Sequence, residues 1–230
     1  MADEKDGTAE KEARIVQARA KLRERFLHKQ PSASQPQGSG APNRHGLPKL
    51  PPGQTETHKW PVLDLGRQPD VLPSKWELVV DGAVEHPLKL SWRDFLKLPQ
   101  TTDTSDFHCV TTWSKMDVEW EGVQLGTLLA LAQPKAGATH VMTHAYDGYT
   151  TNLPLAEALK EDVLVVHTAE GKPLATEHGG PARIITPQLY AWKGAKWIHR
   201  IEVLDRYRLG FLELRGYSNT ADPWRDDRYS

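Results

Sequence analysis

The pattern of hydrophobic and polar positions divides the chain in two. Over residues 8–28 apolar side chains recur at helical spacing (Ile15, Ala18, Leu22, Phe26) in a background rich in Ala, Glu, Lys and Arg, with Glu10 four residues before Arg14. That spacing predicts a surface helix with a thin apolar stripe, suited to weak docking, to a partner, or to fraying. Residues 30–54 are dominated by Pro, Ser, Gln and Gly and offer little to bury, which predicts a flexible linker. Residues 1–57 are therefore expected to form a mobile arm and residues 58–230 the folded domain.

From there the pattern changes to short alternating elements. Strands are predicted over 76–82 and 88–90 around an Asp81-Gly82 turn, and at 106–110, 118–120, 140–145, 163–167, 182–186 and 197–204. Helical stretches are predicted at 126–132 and 155–160. A further helix begins at Ser91, where the serine and Asp94 form a capping-box-like pair, and Pro99 terminates it. The helices are short and do not alternate regularly with the strands. This excludes a doubly wound parallel sheet and points to an α+β domain of mixed sheets with short helices.

Composition sharpens the division. All eight Trp and all six Tyr lie after residue 57, so core-forming capacity belongs to the later part of the 230 residues. A formal charge of −1 supplies no global field for nucleic acid or an anionic membrane, so neither is expected as a partner. No apolar run is long enough to span a bilayer. The opening Met1-Ala2-Asp3-Glu4-Lys5-Asp6 lacks the order of a secretory signal, and with one cysteine in the chain a reducing cytoplasm is the expected location.

Two stretches carry candidate chemistry. The sole cysteine, Cys109, sits in Phe107-His108-Cys109-Val110-Thr111-Thr112-Trp113-Ser114. A lone thiol of this kind is either a small buried hydrophobe, the commoner case, or a metal ligand or nucleophile. The second stretch runs from His178-Gly179-Gly180-Pro181-Ala182-Arg183 to Trp192-Lys193-Gly194-Ala195-Lys196-Trp197. Glycines there let backbone approach a ligand, and Arg183, Lys193 and Lys196 form a cation cluster suited to a phosphate. The plainer reading is a Gly-Pro turn flanked by surface lysines. His140, His144 and Asp147 make only a weak zinc pattern, because the stretch reads as a strand. Residues 147–152 read as a polar turn that either lines a pocket or caps a helix. No Gly-x-Ser-x-Gly elbow is present.

Together with Trp60-Pro61-Val62-Leu63, Leu78-Val79-Val80-Asp81-Gly82 and Asp147-Gly148-Tyr149-Thr150-Thr151-Asn152-Leu153-Pro154-Leu155, these two stretches resemble the sulfite oxidase family of molybdopterin enzymes, collinearly over about residues 58–211. The likeness is greatest to its small bacterial single-domain members. The resemblance implies the sulfite-oxidase-type molybdopterin-binding fold and a mononuclear molybdenum held by one pyranopterin dithiolene. It implies Cys109 as a further sulfur ligand and catalytic residue, and Arg183 and Lys196 on the pterin phosphate. His178, Gly194, Ala195, Thr143 and, at looser spacing, His58 fall at its cofactor contacts. It also implies two-electron oxo transfer to or from a small-molecule substrate, followed by one-electron exchange with an electron-transfer partner that the sequence does not identify. Tyr149 or His108 would orient substrate or relay a proton.

One departure bears on substrate. Where sulfite-oxidising members carry arginines just after the cysteine, this chain has Thr112 and Trp113, which give a sulfite dianion no matching charge. A small oxyanion, a sulfoxide or an N-oxide are the substrate classes left open. The competing expectation is a non-enzymatic module that keeps the fold, binds another anionic ligand or a protein, and retains Cys109 as a structural residue.

Overall fold

The structure is a computed structural model that describes residues 37–230 and the isolated positions Ala13 and Gln17. Apart from those two positions, the helix expected over 8–28 lies outside the described residues. Among them, two sheets dominate. The first is built on β7 (Trp113–Gln124), which pairs antiparallel with β6 (Thr101–Cys109) along one edge. On its other edge it takes β10 (Leu164–Ala169) antiparallel and β3 (Thr55–Glu56) parallel, while β11 (Lys172–Pro173) and β12 (Arg183–Ile185) extend β10. The second sheet has the order β5 (Leu88–Ser91), β4 (Glu77–Gly82), β13 (Ile198–Leu204), β8 (His140–Ala145), β9 (Thr150–Pro154); only its β4–β13 pairing is parallel.

Helices are few and short among the described residues: α1 (Trp92–Leu96), α2 (Leu125–Ala132) and α3 (Leu155–Ala158). Ser91 caps α1 as its sequence predicts, with Oγ accepting from the Asp94 amide and donating to the Asp94 carboxylate at 2.6 Å. α2 buries Leu125, Leu128, Leu129 and Ala132 in one core with Trp76, just before β4, with Leu78, Val80 and Ile201 of the second sheet, and with Val123 and Val165 of the first. The indole of Trp76 donates to the Ile198 carbonyl at 2.9 Å, which satisfies the one polar atom of a fully buried ring. No helix among the described residues is long and apolar enough to cross a membrane.

Three expectations need correction. The described part of the supposed linker carries regular structure, exposed at its start and buried at Pro51 and Gln54. Residues 39–42 and 48–50 form the antiparallel pair β1 (Ser39–Pro42) and β2 (Pro48–Leu50), Gln54 is buried, and β3 joins the first sheet. Its stability comes from contacts with a remote segment, such as the Trp224 indole donating to the Pro48 carbonyl at 2.6 Å, which local composition does not display. The polar run 147–152 is not all turn, because its second half is β9, whose Thr151 and Asn152 are fully buried and hydrogen-bonded. Finally, β6 and β7 extend well beyond the stretches expected at 106–110 and 118–120. One face of this pair is polar, with Thr102 opposite Glu121 and Thr104 opposite Glu119, alternating with the inward Val118 and Trp120.

Candidate functional site

Cys109 is the last residue of β6 and pairs with Trp113 across a three-residue hairpin loop, 110–112. The loop closes by the Thr112 amide donating to the Cys109 carbonyl at 3.1 Å, and Thr112 itself takes φ +77°, the left-handed position of such a turn. A β-branched residue is costly there, and its place is fixed by β3, whose Thr55 amide donates to the Thr112 carbonyl at 2.9 Å. Strand alternation then sorts the neighbours. Phe107 and Cys109 face a cavity of about 470 Å³, and Thr111 Oγ1 lies 3.1 Å from the Cys109 sulfur. His108 faces the opposite way. It is 1% exposed, its Nδ1 lies 2.8 Å from the Ser114 hydroxyl, and burial pulls its imidazole down to about 3, so it is neutral and does not meet a substrate in this cavity.

A second wall comes from the loop before β12 and the turn before β13. Gly179 adopts φ +104°, and a Cβ there would meet the Lys196 Cβ at 2.9 Å and the Arg183 Cβ at 3.1 Å, so only glycine lets the loop close this tightly on the two cations. Arg183 is 2% exposed. Its guanidinium donates to the carbonyls of His178 (3.0 Å), Gly194 (3.2 Å) and Ile184 (3.4 Å) and lies over the Phe107 ring at 5.1 Å. No carboxylate among the described residues lies within ion-pair distance of it. Burial draws it down to about 10, with the neighbouring Cys109 opposing, so it stays charged at neutral pH. Lys196 donates to the Glu177 carbonyl at 2.7 Å and lines the same cavity.

The remaining walls are largely apolar: the extended stretch Trp60 to Leu65, then Trp113, Tyr149, Trp192, Leu212 and Tyr217. Trp60 stacks on His178 with ring centroids 4.0 Å apart and planes within 8°. His178 is held down to about 4, first by burial and then by Lys196 and Arg183. Tyr149 donates its hydroxyl to the Trp192 carbonyl at 2.7 Å, and Asp147 beside it has its carboxyl raised by burial.

Of the residues expected at the site, the structure brings together Cys109, His178, Arg183, Gly194 and Lys196 on one cavity. His58 is exposed in the bend before Trp60 and outside the lining. Thr143 is fully buried in β8, its hydroxyl donating to the Thr151 carbonyl at 3.1 Å. Ala195 lies behind Gly194, its carbonyl accepting from the Ile184 amide at 2.9 Å, so it braces β12 from outside the lining. The cation cluster also loses one member. Lys193 is turned away and wholly buried, paired with Glu213 at 2.6 Å and with the Asn152 side chain at 2.9 Å. Sequence reasoning gave no role to Trp192, Leu212 or Tyr217, whose aromatic and aliphatic character is also that of an ordinary core.

These residues fit Mo-molybdopterin. A buried guanidinium with no carboxylate partner among the described residues calls for an anion, the Gly179 turn draws Lys196 close to it, and the one thiol faces the same space.

Comparison with known proteins agrees. The family model described as "Oxidoreductase molybdopterin binding domain" matches residues 65–212, more than half of the chain. The chain is 40% identical to "Uncharacterized oxidoreductase YuiH" of Bacillus subtilis (strain 168), over 79% of its own length and 92% of that protein's. It is 33% identical to "Protein-methionine-sulfoxide reductase catalytic subunit MsrP" of Gluconobacter oxydans (strain 621H), over 58% of this chain and 48% of that one. Among solved structures it is similar to the sulfane dehydrogenase SoxCD from Paracoccus pantotrophus, with a TM-score of 0.55 and 25% identity, covering 60% of this chain and 40% of that chain. The chain belongs to the oxidoreductase molybdopterin-binding domain family, and is thus a molybdenum-dependent oxidoreductase of the sulfite oxidase family whose cofactor is Mo-molybdopterin.

Proposed function

We propose that Cys109 is the protein's sulfur ligand to the molybdenum and that the enzyme carries out two-electron oxo transfer on a small, electrically neutral oxo compound, a sulfoxide or an N-oxide. The observation that carries this reading is the meeting, on one cavity, of the sole thiol and a buried arginine that has no carboxylate partner among the described residues. When bound, the cofactor supplies a metal able to change oxidation state by two electrons while accepting or giving up oxygen. The protein's part is to hold and orient it. Arg183 and Lys196 would neutralise the pterin phosphate, the Gly179 turn brings these two cations together, Gly194 lines the same cavity, and His178, kept neutral, stacks on Trp60 to close that end.

The substrate class is set by the wall beside the thiol. Val110, Thr111, Trp113, Tyr149 and Leu212 surround that end, and the cations of the cavity are committed to the phosphate. A dianion would enter without charge compensation, whereas an apolar substituent gains by burial against the aromatic rings. MsrP, by its name, acts on a sulfoxide, which is in keeping with this choice.

Turnover assays with dimethyl sulfoxide and trimethylamine N-oxide against a reduced dye, and with sulfite against an oxidised one, test the reading. Activity on a neutral oxide that Cys109→Ser abolishes, with pterin still bound, is expected. Preferred oxidation of sulfite would overturn the substrate class, and undiminished turnover in Cys109→Ser would remove the thiol from the metal.

A further inference from the structure

The turn that carries Cys109 is held by residues outside the stretch matched by the family model. On one side, Gly53 at φ +68° turns the chain so that Gln54 enters the core, where its Nε2 donates to the Cys109 carbonyl at 3.1 Å. Its Oε1 accepts from the Ser114 hydroxyl at 3.2 Å, and that hydroxyl also meets His108 Nδ1. The next residue, Thr55, donates its amide to the Thr112 carbonyl. On the other side, Arg228, 1% exposed, donates Nη1 to the Val110 carbonyl and Nε to Asp226 at 2.6 Å, with its guanidinium over the Tyr190 ring at 4.7 Å.

Both sides are joined to each other. A Cβ on Gly53 would lie 3.6 Å from Arg228 Nη2, the Tyr190 hydroxyl donates to Asp226 at 3.3 Å, and Trp224 bonds to Pro48. Carbonyls of Cys109, Val110 and Thr112 thus each accept from a terminal segment. A three-residue loop fixed only by its own closing bond would leave the sulfur's direction loosely set, and outer hydrogen bonds are what usually orient a metal's ligand.

We propose that Gln54 and Arg228 are positioning residues that together fix the backbone of the Cys109 turn, and with it the direction in which the thiolate enters the cavity. This rests on the assignment of Cys109 to the metal. Gln54→Leu and Arg228→Met remove the two donors, and Arg228→Lys restores one of them.

The first measurement uses the full chain purified from a host that makes no molybdopterin. Because Cys109 is the sole thiol, its rate of labelling by iodoacetamide reports this turn alone. We expect about tenfold faster labelling in Gln54→Leu and Arg228→Met, the low end of what loss of such outer contacts does at metal sites, with Arg228→Lys near wild type. In the loaded enzyme, the electron paramagnetic resonance of the one-electron-reduced metal should shift and kcat fall at full molybdenum occupancy, with KM little changed. The same substitutions placed on Cys109→Ser should leave the metal spectrum where Cys109→Ser alone puts it. Wild-type labelling rates and spectra in folded Gln54→Leu and Arg228→Met would overturn the proposal; if Arg228→Met does not fold, Gln54→Leu alone decides it. A metal spectrum indifferent to Cys109→Ser would instead overturn the ligand assignment, while the labelling rates would still judge the clamp.

Discussion

At the scale of single residues, the site turns on which of several similar side chains point where. Lys193 and Lys196 are three residues apart and equivalent as sequence, yet one is locked to Glu213 in the core and the other lines the cavity. Their alanine variants should therefore separate. Lys193→Ala leaves Glu213 buried and uncompensated, and should lower the unfolding free energy in urea by about 3 kcal/mol. Lys196→Ala should leave the stability of the cofactor-free chain nearly unchanged and reduce the molybdopterin retained through purification. Equal loss of stability in both would contradict the division of roles. The sequence made Cys109, Arg183 and Lys196 legible because thiol, guanidinium and glycine-flanked lysine carry their chemistry in the residue type. It did not reveal Lys193's partner, since Glu213 lies 20 residues on with nothing local to link them. Nor could it show which of His108 and Cys109, neighbours on the strand expected at 106–110, faces the cavity.

At the scale of elements, β6 and β7 form the arm that presents the thiol, and the weak point of that arm is Thr112. Its left-handed backbone is costly for a β-branched side chain, by about 1–3 kcal/mol in general, and glycine is free of that cost. Thr112→Gly should raise the urea midpoint, by about 1 kcal/mol in stability after glycine's larger chain entropy is subtracted. A lowered midpoint would show that the hydroxyl's bond to the Thr111 carbonyl outweighs the strain. Element positions were largely readable: β8 falls where alternation places it, and β4, β10, β12, β13 and α2 lie within a residue or two of expectation. Periodicity failed where polar residues face inward with partners, as at Thr151 and Asn152 of β9. It also failed where a strand's partner is remote, as for β3 on β7, and where a local pair is short and largely exposed, as for β1 and β2.

For the whole molecule, burial of imidazoles sets the response to acid. His108 and His178 are depressed to about 3 and about 4, and His144, His167 and His199 are lowered as well, each chiefly by burial. A folded-state value below the unfolded one of 6.5 means that the unfolded chain binds more protons between about pH 4 and 6.5. Stability should accordingly be fullest above pH 6.5 and fall as pH drops through that window. Raised carboxyls at Asp106, Asp147 and Asp222 act in the opposite sense and partly offset it, since the folded chain holds their protons longer. Urea unfolding of the cofactor-free chain should show a lower midpoint at pH 5 than at pH 7; an unchanged or higher midpoint would contradict the predominance of the histidines.

Segments on either side of the matched stretch, at Gln54 and Thr55 and at Arg228, converge on the one hairpin that carries the thiol. The bond proposed between this thiol and the metal is read by molybdenum K-edge X-ray absorption on the loaded wild type and on Cys109→Ser. Loss of one sulfur from the metal's coordination shell in the variant, with pterin content unchanged, is the result predicted; the same sulfur count in both proteins would contradict it.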